Sequence, residues 1–418
     1  MLKLKAIMAE TPKNTNHPVT QILAREIQDS RGNPTIKVTV WAGSASGSFS
    51  VPSGASTGAH EAHELRDADG RGVQTAIEKV NSVIAPALIG RDVFNQQEID
   101  RIMIELDGTP NKDNLGGNAM IGVSVACAKA AAEAAGTEVY EYLQALAEIK
   151  SSRKVPYLFM NLIEGGKHTD NGLAFQEYHV VPEAADAEEA LQIGIKIQNT
   201  LKEIIIKELG NESVILGDEG GFAPKTKDIR QPLLYLTKAI KQNNLQGKVH
   251  LTLDVAASSF YADGMYKIDN RDFSKEELIK IYGSLIPEFS LFSIEDPFNE
   301  EDFNSFSILL ENKKKLKVVG DDLTVTNKLR LKEAIEGKSI NSIIIKPNQI
   351  GTLSETLETM KLARENNIEL IVSHRSGETN DDFIADLAYA FGCFGLKAGS
   401  SFQPERMVKY QRLIKISK

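Results

Sequence analysis

The sequence predicts an α/β protein, an N-terminal α+β domain followed by a (β/α)8-type barrel. Three observations predict it. First, 418 residues exceed one ordinary domain and leave room for a barrel of about 250 residues beside a smaller unit. Second, the first third of the chain places strand patterns before helical ones, whereas the remainder alternates strand and helix. Third, the candidate strand ends Glu295, Asp321, Lys346, His374 and Lys397 fall 26, 25, 28 and 23 residues apart, the length of one repeated βα unit.

Composition narrows the class. An apolar content of 42% supports a substantial core, and 25% charged residues are ordinary for a globular chain. The net charge of −9 argues against nucleic-acid binding, whose footprint is basic, but leaves room for a phosphorylated small molecule in a locally positive site. Cys127 and Cys393 have neither metal-site nor disulfide spacing, which suits a reduced, cytoplasmic setting. The N-terminus shows no signal-peptide pattern and no stretch reaches membrane-spanning length, so no membrane insertion is expected.

Residues 1–20 read as a loosely ordered extension. In the domain over residues 21–148, "ILAREIQD" and "TIKVTVWA" read as strands joined by a turn at "SRGNP", and "SFSV" as a third, with Gly43 and Gly47 marking the turn before it. Helices are expected near residues 72–84, 97–106 and 118–135. The last is rich in Ala and Gly, which predicts close packing against a neighbour. The polar stretch "EIKSSRKVP" reads as the linker to a barrel over residues 156–418. There "VHLTLDV", "LFSIED", "LKVVGDD", "INSIIIK", "IELIVSHR" and "CFGLK" read as strands. Ser274 with Glu277 predicts a capping box, and Asn327 a helix cap.

Barrel enzymes carry their chemistry at the C-terminal ends of their strands. Here six such ends are Asp254, Glu295, Asp321, Lys346, His374–Arg375 and Lys397. A lone acid at such a boundary reads equally well as a helix cap. Six in series do not. Asp254, Glu295 and Asp321 form a set of hard oxygen ligands suited to Mg²⁺. Lys346 and Lys397, expected on neighbouring strands, would be pushed toward the neutral amine by nearby cations and so could serve as a base. Arg375 and Ser376 in "VSHRSGE" offer a guanidinium fork and a hydroxyl to a phosphate. "LGDEGGFAP" presents Glu219, and "GGKHTDNGLAFQEY" presents His168, Gln176 and Glu177. Glu177 and Glu219 could hold one proton between them. "VPSGASTGAHE", residues 51–61, reads as a plain loop or as a lid that excludes water. Together these groups suggest proton abstraction beside a carboxylate, for which the general precedent is a Lys or His base with one or two Mg²⁺ ions.

With "DSRGNPT", "VPSGASTG", "DGTPNK", "LGDEGGFAP", "SIEDPF", "GDDLTVTN", "IKPNQIGT" and "SHRSGET" in this order, the sequence resembles the enolase family from about Arg25 to Ile414. The resemblance implies an enolase-type modified (β/α)8 barrel whose opening elements depart from strict alternation. It implies reversible, glycolytic dehydration of 2-phosphoglycerate to phosphoenolpyruvate, a homodimer or higher homo-oligomer, and two Mg²⁺ ions per site. It makes Lys346 the base at C2 and Glu219, backed by Glu177, the acid at the C3 hydroxyl. It assigns the first Mg²⁺ to Asp254, Glu295 and Asp321, and the second to substrate phosphate and Ser56. Lys397, Gln176, Arg375, Ser376, His168 and His374 would contact or enclose the substrate. The family also includes members displayed on cell surfaces, where the terminal Lys418 would suit a lysine-binding partner. The sequence departs from the family at Glu164, where Asn precedes the Gly-Gly pair, at Ser259, where Glu is usual, in the tail around residues 400–404, which lacks an Arg, and near Ser151, where the connection is short.

Overall fold

The computed structural model describes residues 17–55 and 58–418. Ser56, and residues 1–16 of the expected extension, lie outside the described residues. Residues 17–20 pack with the domain: Val93 N donates to His17 O at 3.0 Å, and the first strand opens at Val19.

Strands β1 (Val19–Gln28), β2 (Pro34–Ala42) and β3 (Ala45–Ser50) form an antiparallel meander. Asp29 organises its first turn by accepting from Arg31 N and Asn33 N, both at 2.9 Å. The third strand is longer than the sequence pattern predicts, and Gly47 lies inside it. The reason is contact: a Cβ on Gly47 would lie 2.2 Å from Ala126 O and Ala130 N, so only glycine lets the sheet meet the helix Gly117–Ala135. That helix is Ala- and Gly-rich for the same reason, with 15 of its residues buried. A further helix over Val139–Leu146, closed by a Glu138–Glu141 capping box, is not legible in the pattern.

The C-terminal part closes into an eight-stranded mixed barrel. It opens with β4 (Tyr157–Glu164), β5 (Glu177–Pro182) and β6 (Val249–Asp254). A small outlying sheet, β7 (Tyr261–Ala262), β8 (Met265–Ile268) and β9 (Arg271–Phe273), comes next. The barrel resumes with β10 (Ser293–Glu295), β11 (Lys317–Gly320), β12 (Ser342–Ile345), β13 (Glu369–Ser373) and β14 (Gly395–Lys397). Around the ring the order is β10-β11-β12-β13-β14-β4-β5-β6. Only β5 is antiparallel to its neighbours. The two helices Ala187–Leu209 and Gln231–Gln242 both come after β5 and before β6, so strict alternation fails there, as the resemblance implies. Phe159, Val181, Val319, Ile344, Ile371 and Phe394 form a separate apolar cluster contributed by six of the eight barrel strands or their flanks. The Ser274–Glu277 box and the Asn327 cap form as expected.

The reversed strand gathers acids at one rim. Because β5 runs backwards, its first residue stands where its neighbours end. Glu177 pairs with Glu164 of β4 on one side and Asp254 of β6 on the other.

No single helix among the described residues is long and apolar enough to cross a membrane. Gly117–Ala135 and Val139–Leu146 pass on composition only as a pair bent by 107°, and the first is the buried layer against the sheet.

Candidate active site

Asp254, Glu295 and Asp321 come from three consecutive barrel strands, at or just past their C-terminal ends. All are buried. Their present partners are ammonium groups. Lys397 Nζ lies 2.9 Å from Asp254 Oδ2, 2.9 Å from Glu295 Oε1 and 3.1 Å from Glu177 Oε2. It reaches them across the barrel mouth from β14. Lys346 Nζ pairs with Asp321 Oδ2, whose other oxygen accepts from Gln349 Nε2 at 2.9 Å. Among the described residues, two sets of three offer ligand atoms within 4.8 Å of one another: Asp296 with Asp321 and Asp322, and His168 with Glu177 and Glu219. The backbone of Asp296 is strained. Its φ of 41° is in the left-handed region, and its carboxylate accepts from Asp321 N at 2.9 Å and Asp322 N at 2.6 Å.

The expectation that the two lysines stand on neighbouring strands needs correction. Lys346 and Lys397 are not on neighbouring strands, because β13 stands between β12 and β14. The protein's own side chains do not push either toward the neutral amine. Burial is the largest single effect and acts in that direction, but the Asp321 and Glu295 carboxylates among its neighbours together raise the Lys346 ammonium above its usual value. At Lys397 the carboxylates of Asp254, Glu177 and Glu295 outweigh burial still further. Cationic surroundings would lower an amine, whereas the side chains present are mainly anionic.

Asp254, Glu295 and Asp321 have the donor chemistry a magnesium ion takes, but among the described residues the acidic set whose ligand atoms lie within 4.8 Å of one another is Asp321 with Asp296 and Asp322. The donors are carboxylate oxygens, with no Cys or His on the Asp254, Glu295 and Asp321 side. Burial, with Asp254 and Asp321 adding, pushes Glu295 well above the ordinary carboxylate range, and Asp296 and Asp322 are pushed the same way by burial and by Asp321. So many acids in one buried place call for more positive charge than two lysines supply.

The other side of the mouth is organised by histidines. Glu219 sits in a turn over residues 217–221 rather than on a strand. Its Oε2 is 3.1 Å from His374 Nε2 and accepts from Asn161 Nδ2 at 3.1 Å. His168 stands between the two acids: Nδ1 is 3.8 Å from Glu177 Oε1, and Nε2 is 3.9 Å from Glu219 Oε1. Arg406 fixes the tautomer of His374. A guanidinium can only donate, and its NH1 lies 2.6 Å from His374 Nδ1, so the ring proton is on Nε2, facing Glu219. Burial keeps both rings neutral, lowering His374 to about 3 and shifting His168 in the same direction. Burial and the Glu219 charge push Glu177 well above its usual range. Burial also resists ionisation of Glu219, but the Nε2–H of His374, His168 and the nearby Arg406 guanidinium together hold Glu219 well below that range. The pair therefore shares its charge unequally, with Glu177 the more readily protonated of the two.

Arg375 and Ser376 meet the first domain. Arg375 makes a two-pronged pair with Glu61, at 2.8 and 3.1 Å, and NH1 also donates to Asn348 Oδ1 at 3.1 Å. Ser376 Oγ accepts from Ala55 N at 2.6 Å. Gln176 is buried, and its Oε1 finds no hydrogen-bond partner among the described residues. Sequence reasoning misses Glu61, Gln349, Asn161 and Arg406. Glu61 and Gln349 lie inside "VPSGASTGAHE" and "IKPNQIGT", which is the available signal. Arg406 follows the tail around residues 400–404 and belongs to none of the motifs singled out in the sequence.

A mixed barrel with two lysines and buried carboxylates and histidines at one rim, covered by a loop of a second domain, defines a two-domain barrel enzyme of the acid–base class. Comparisons make the class particular. Residues 19–143 match the family model "Enolase, N-terminal domain" and residues 150–418 match "Enolase, C-terminal TIM barrel domain". The chain is 46% identical over 404 residues to the enolase of Methanocaldococcus jannaschii, covering 95% of this chain and 94% of that one. It is 45% identical over 405 residues to the enolase of Methanococcus aeolicus and 44% over 409 to that of Corynebacterium kroppenstedtii, with the same coverage. The chain belongs to the enolase family.

Proposed function

We propose that this rim carries out the enolase reaction, reversible dehydration of 2-phosphoglycerate to phosphoenolpyruvate, with Lys346 as base and Glu219 as acid. The observation that carries the assignment is opposition. Lys346 comes just after β12, and Glu177 opens β5, four places away in a ring of eight. A substrate in the mouth would meet an amine on one side and the Glu177–His168–Glu219 group on the other.

Asp254, Glu295 and Asp321 would hold one Mg²⁺, and Ser56 with the substrate phosphate a second. Bound magnesium supplies the positive charge that makes a proton beside a carboxylate removable. Lys346 takes the C2 proton at Nζ. It can do so only as the neutral amine, so Asp321, which now holds the ammonium, must be engaged elsewhere. Glu219, ionised as it stands, gives a proton to the departing C3 hydroxyl only after taking one up from its neighbour Glu177. Glu177 holds that proton in reserve, and neutral His168 stands between them with one ring nitrogen toward each. Gln176 Oε1 is an acceptor for a substrate hydroxyl. Arg375 and Ser376 take the phosphate, and Lys397 keeps the carboxylates of the mouth in place. The loop 51–61 closes over the site.

The two-domain division near residues 149–155, residence in the reduced cytoplasm and assembly into a homodimer or higher homo-oligomer belong to the same reading. Both free cysteines are buried, which suits such a compartment. The direct test is absorbance of the enol product with 2-phosphoglycerate and Mg²⁺. Turnover should vanish in excess chelator and return with Mg²⁺. Turnover of the unphosphorylated acid at a comparable rate would instead assign the chain to another activity.

A further inference from the structure

Glu164 ends β4 with no exposed surface. It has no part in the proton transfers assigned to Lys346, Glu219 and Glu177. Yet its Oε2 accepts the N–H of Glu219 at 3.1 Å and its Oε1 the N–H of Gly221 at 2.5 Å. Both donors belong to the turn that carries Glu219. That turn has no strand or helix of its own to hold it, and is closed by Gly217 N to Gly221 O at 2.9 Å.

The fit between the turn and this carboxyl is close. A Cβ on Gly217 would lie 2.2 Å from Glu164 Oε2, and one on Gly221 2.9 Å from Glu164 Oε1. Gly217 is not in the left-handed region, and its three nearest atoms all belong to Glu164. The side chain of Glu164 is therefore what requires glycine there. A carboxyl offers two acceptor oxygens to two backbone donors, whereas an amide offers one. A buried N–H left without a partner is costly, so the turn would move to find another.

We infer that Glu164 is the positioning residue of the acid: by holding the 217–221 turn through two backbone N–H groups, it sets where the Glu219 carboxyl stands between His168 and His374. The inference rests on the reading of Glu219 as acid. Burial, then the Glu219 charge, push Glu164 well above the usual carboxylate range, while its two N–H donors pull the other way. Those two donors lie on the acid side of the mouth, away from Lys346 and Asp321. Loss of the Glu164 carboxyl should thus be felt after C2 proton removal and not before.

The test uses the full chain with Mg²⁺ and 2-phosphoglycerate. Glu164→Gln and Gly217→Ala should each lower dehydration roughly ten- to hundredfold, the effect of a misplaced catalytic group. Exchange of the C2 proton with heavy water, read by NMR, should stay within about twofold and so certify a folded site. Gly217→Ala should add little to Glu164→Ala, because the clash disappears with the side chain. Equal losses of dehydration and exchange, full activity, or additive effects in that cycle would overturn the inference. If Glu219→Gln itself keeps dehydration, the assignment of the acid fails instead, and the two failures are told apart.

Discussion

The two sides of the barrel mouth solve the burial of charge differently. On the β10–β14 side, lysine ammonium groups sit directly on carboxylates: Lys346 on Asp321, and Lys397 on Glu295 and Asp254. On the β4–β5 side, neutral histidines and a raised Glu177 keep the charge low, and only Glu219 is held ionised. The first arrangement stores cations, and an amine in it becomes a base once its anion is drawn away. The second stores a proton. Opposite chemistry across one cavity comes from opposite ways of neutralising it.

The sharpest way to break this comparison is to disable one side at a time. Lys346→Ala should lose both dehydration and exchange of the C2 proton with heavy water. Glu219→Gln should lose dehydration yet keep measurable exchange, because the proton still leaves on the intact side. Each loss should reach at least the roughly 10²–10⁴-fold typical of a positioned acid or base. Persistent exchange in Lys346→Ala with none in Glu219→Gln would reverse the two roles.

A smaller effect is expected at the metal. Asp321→Asn removes a ligand charge and the partner of Lys346 together. Mg²⁺ affinity, measured by titration calorimetry, should fall roughly ten- to a hundredfold, and Lys346 should titrate lower than in the parent. Unchanged affinity would remove Asp321 from the ligand set. Ser56→Ala tests the cover rather than the walls. Turnover at moderate Mg²⁺ should drop several-fold while the unfolding temperature stays within about 1 °C, the pattern of a group that serves closure and not the core. Equal turnover at all Mg²⁺ concentrations would leave Ser56 without a role.

The smallest effect probes the neutral histidines through stability. Burial lowers His179 to about 3 from 6.5, and its Nε2 lies 2.7 Å from Glu177 Oε2. A depressed imidazole contributes stability above pH 6.5, and that contribution fades as pH falls from 6.5 toward 3, where the unfolded chain binds the extra proton. Thermal melts of the metal-free protein at pH 7 and 5 should therefore show the parent losing ground to His179→Gln. The difference should approach ~1.4 kcal/mol per pH unit at most. Parallel pH curves would mean that His179 is charged in the fold.

The same asymmetry governs what the sequence reveals. On the parallel side each chemical residue ends a strand at a regular interval, so Glu295, Asp321, Lys346, His374 and Lys397 are readable by counting. The spatial order of those strands is not, and a count along the chain makes Lys346 and Lys397 neighbours across a gap that β13 fills. On the other side the interval fails. Glu177 begins a strand instead of ending one, and Glu219 belongs to no strand, so only local motifs point to them. Gly47 reads as a turn because close approach of a helix and a need for positive φ leave the same letter in a sequence. Arg406 and Glu61 pass unnoticed because their partners, His374 and Arg375, lie 32 and 314 residues away.

Ring closure gives the chain an order of assembly. The last barrel strand, β14, pairs with the first, β4, so Gly395 meets Tyr157 only when nearly the whole chain exists. Contacts between residues so distant form late, because the intervening loop must first be gathered in. A nascent chain leaving the ribosome can make the local β4–β5–β6 pairings early, but it carries two open sheet edges until β14 arrives. Lys397 arrives with that strand. Before then Glu177, Asp254 and Glu295 face one another without their ammonium. The residue that completes the sheet also discharges the cavity, so an unfinished chain cannot form a finished site.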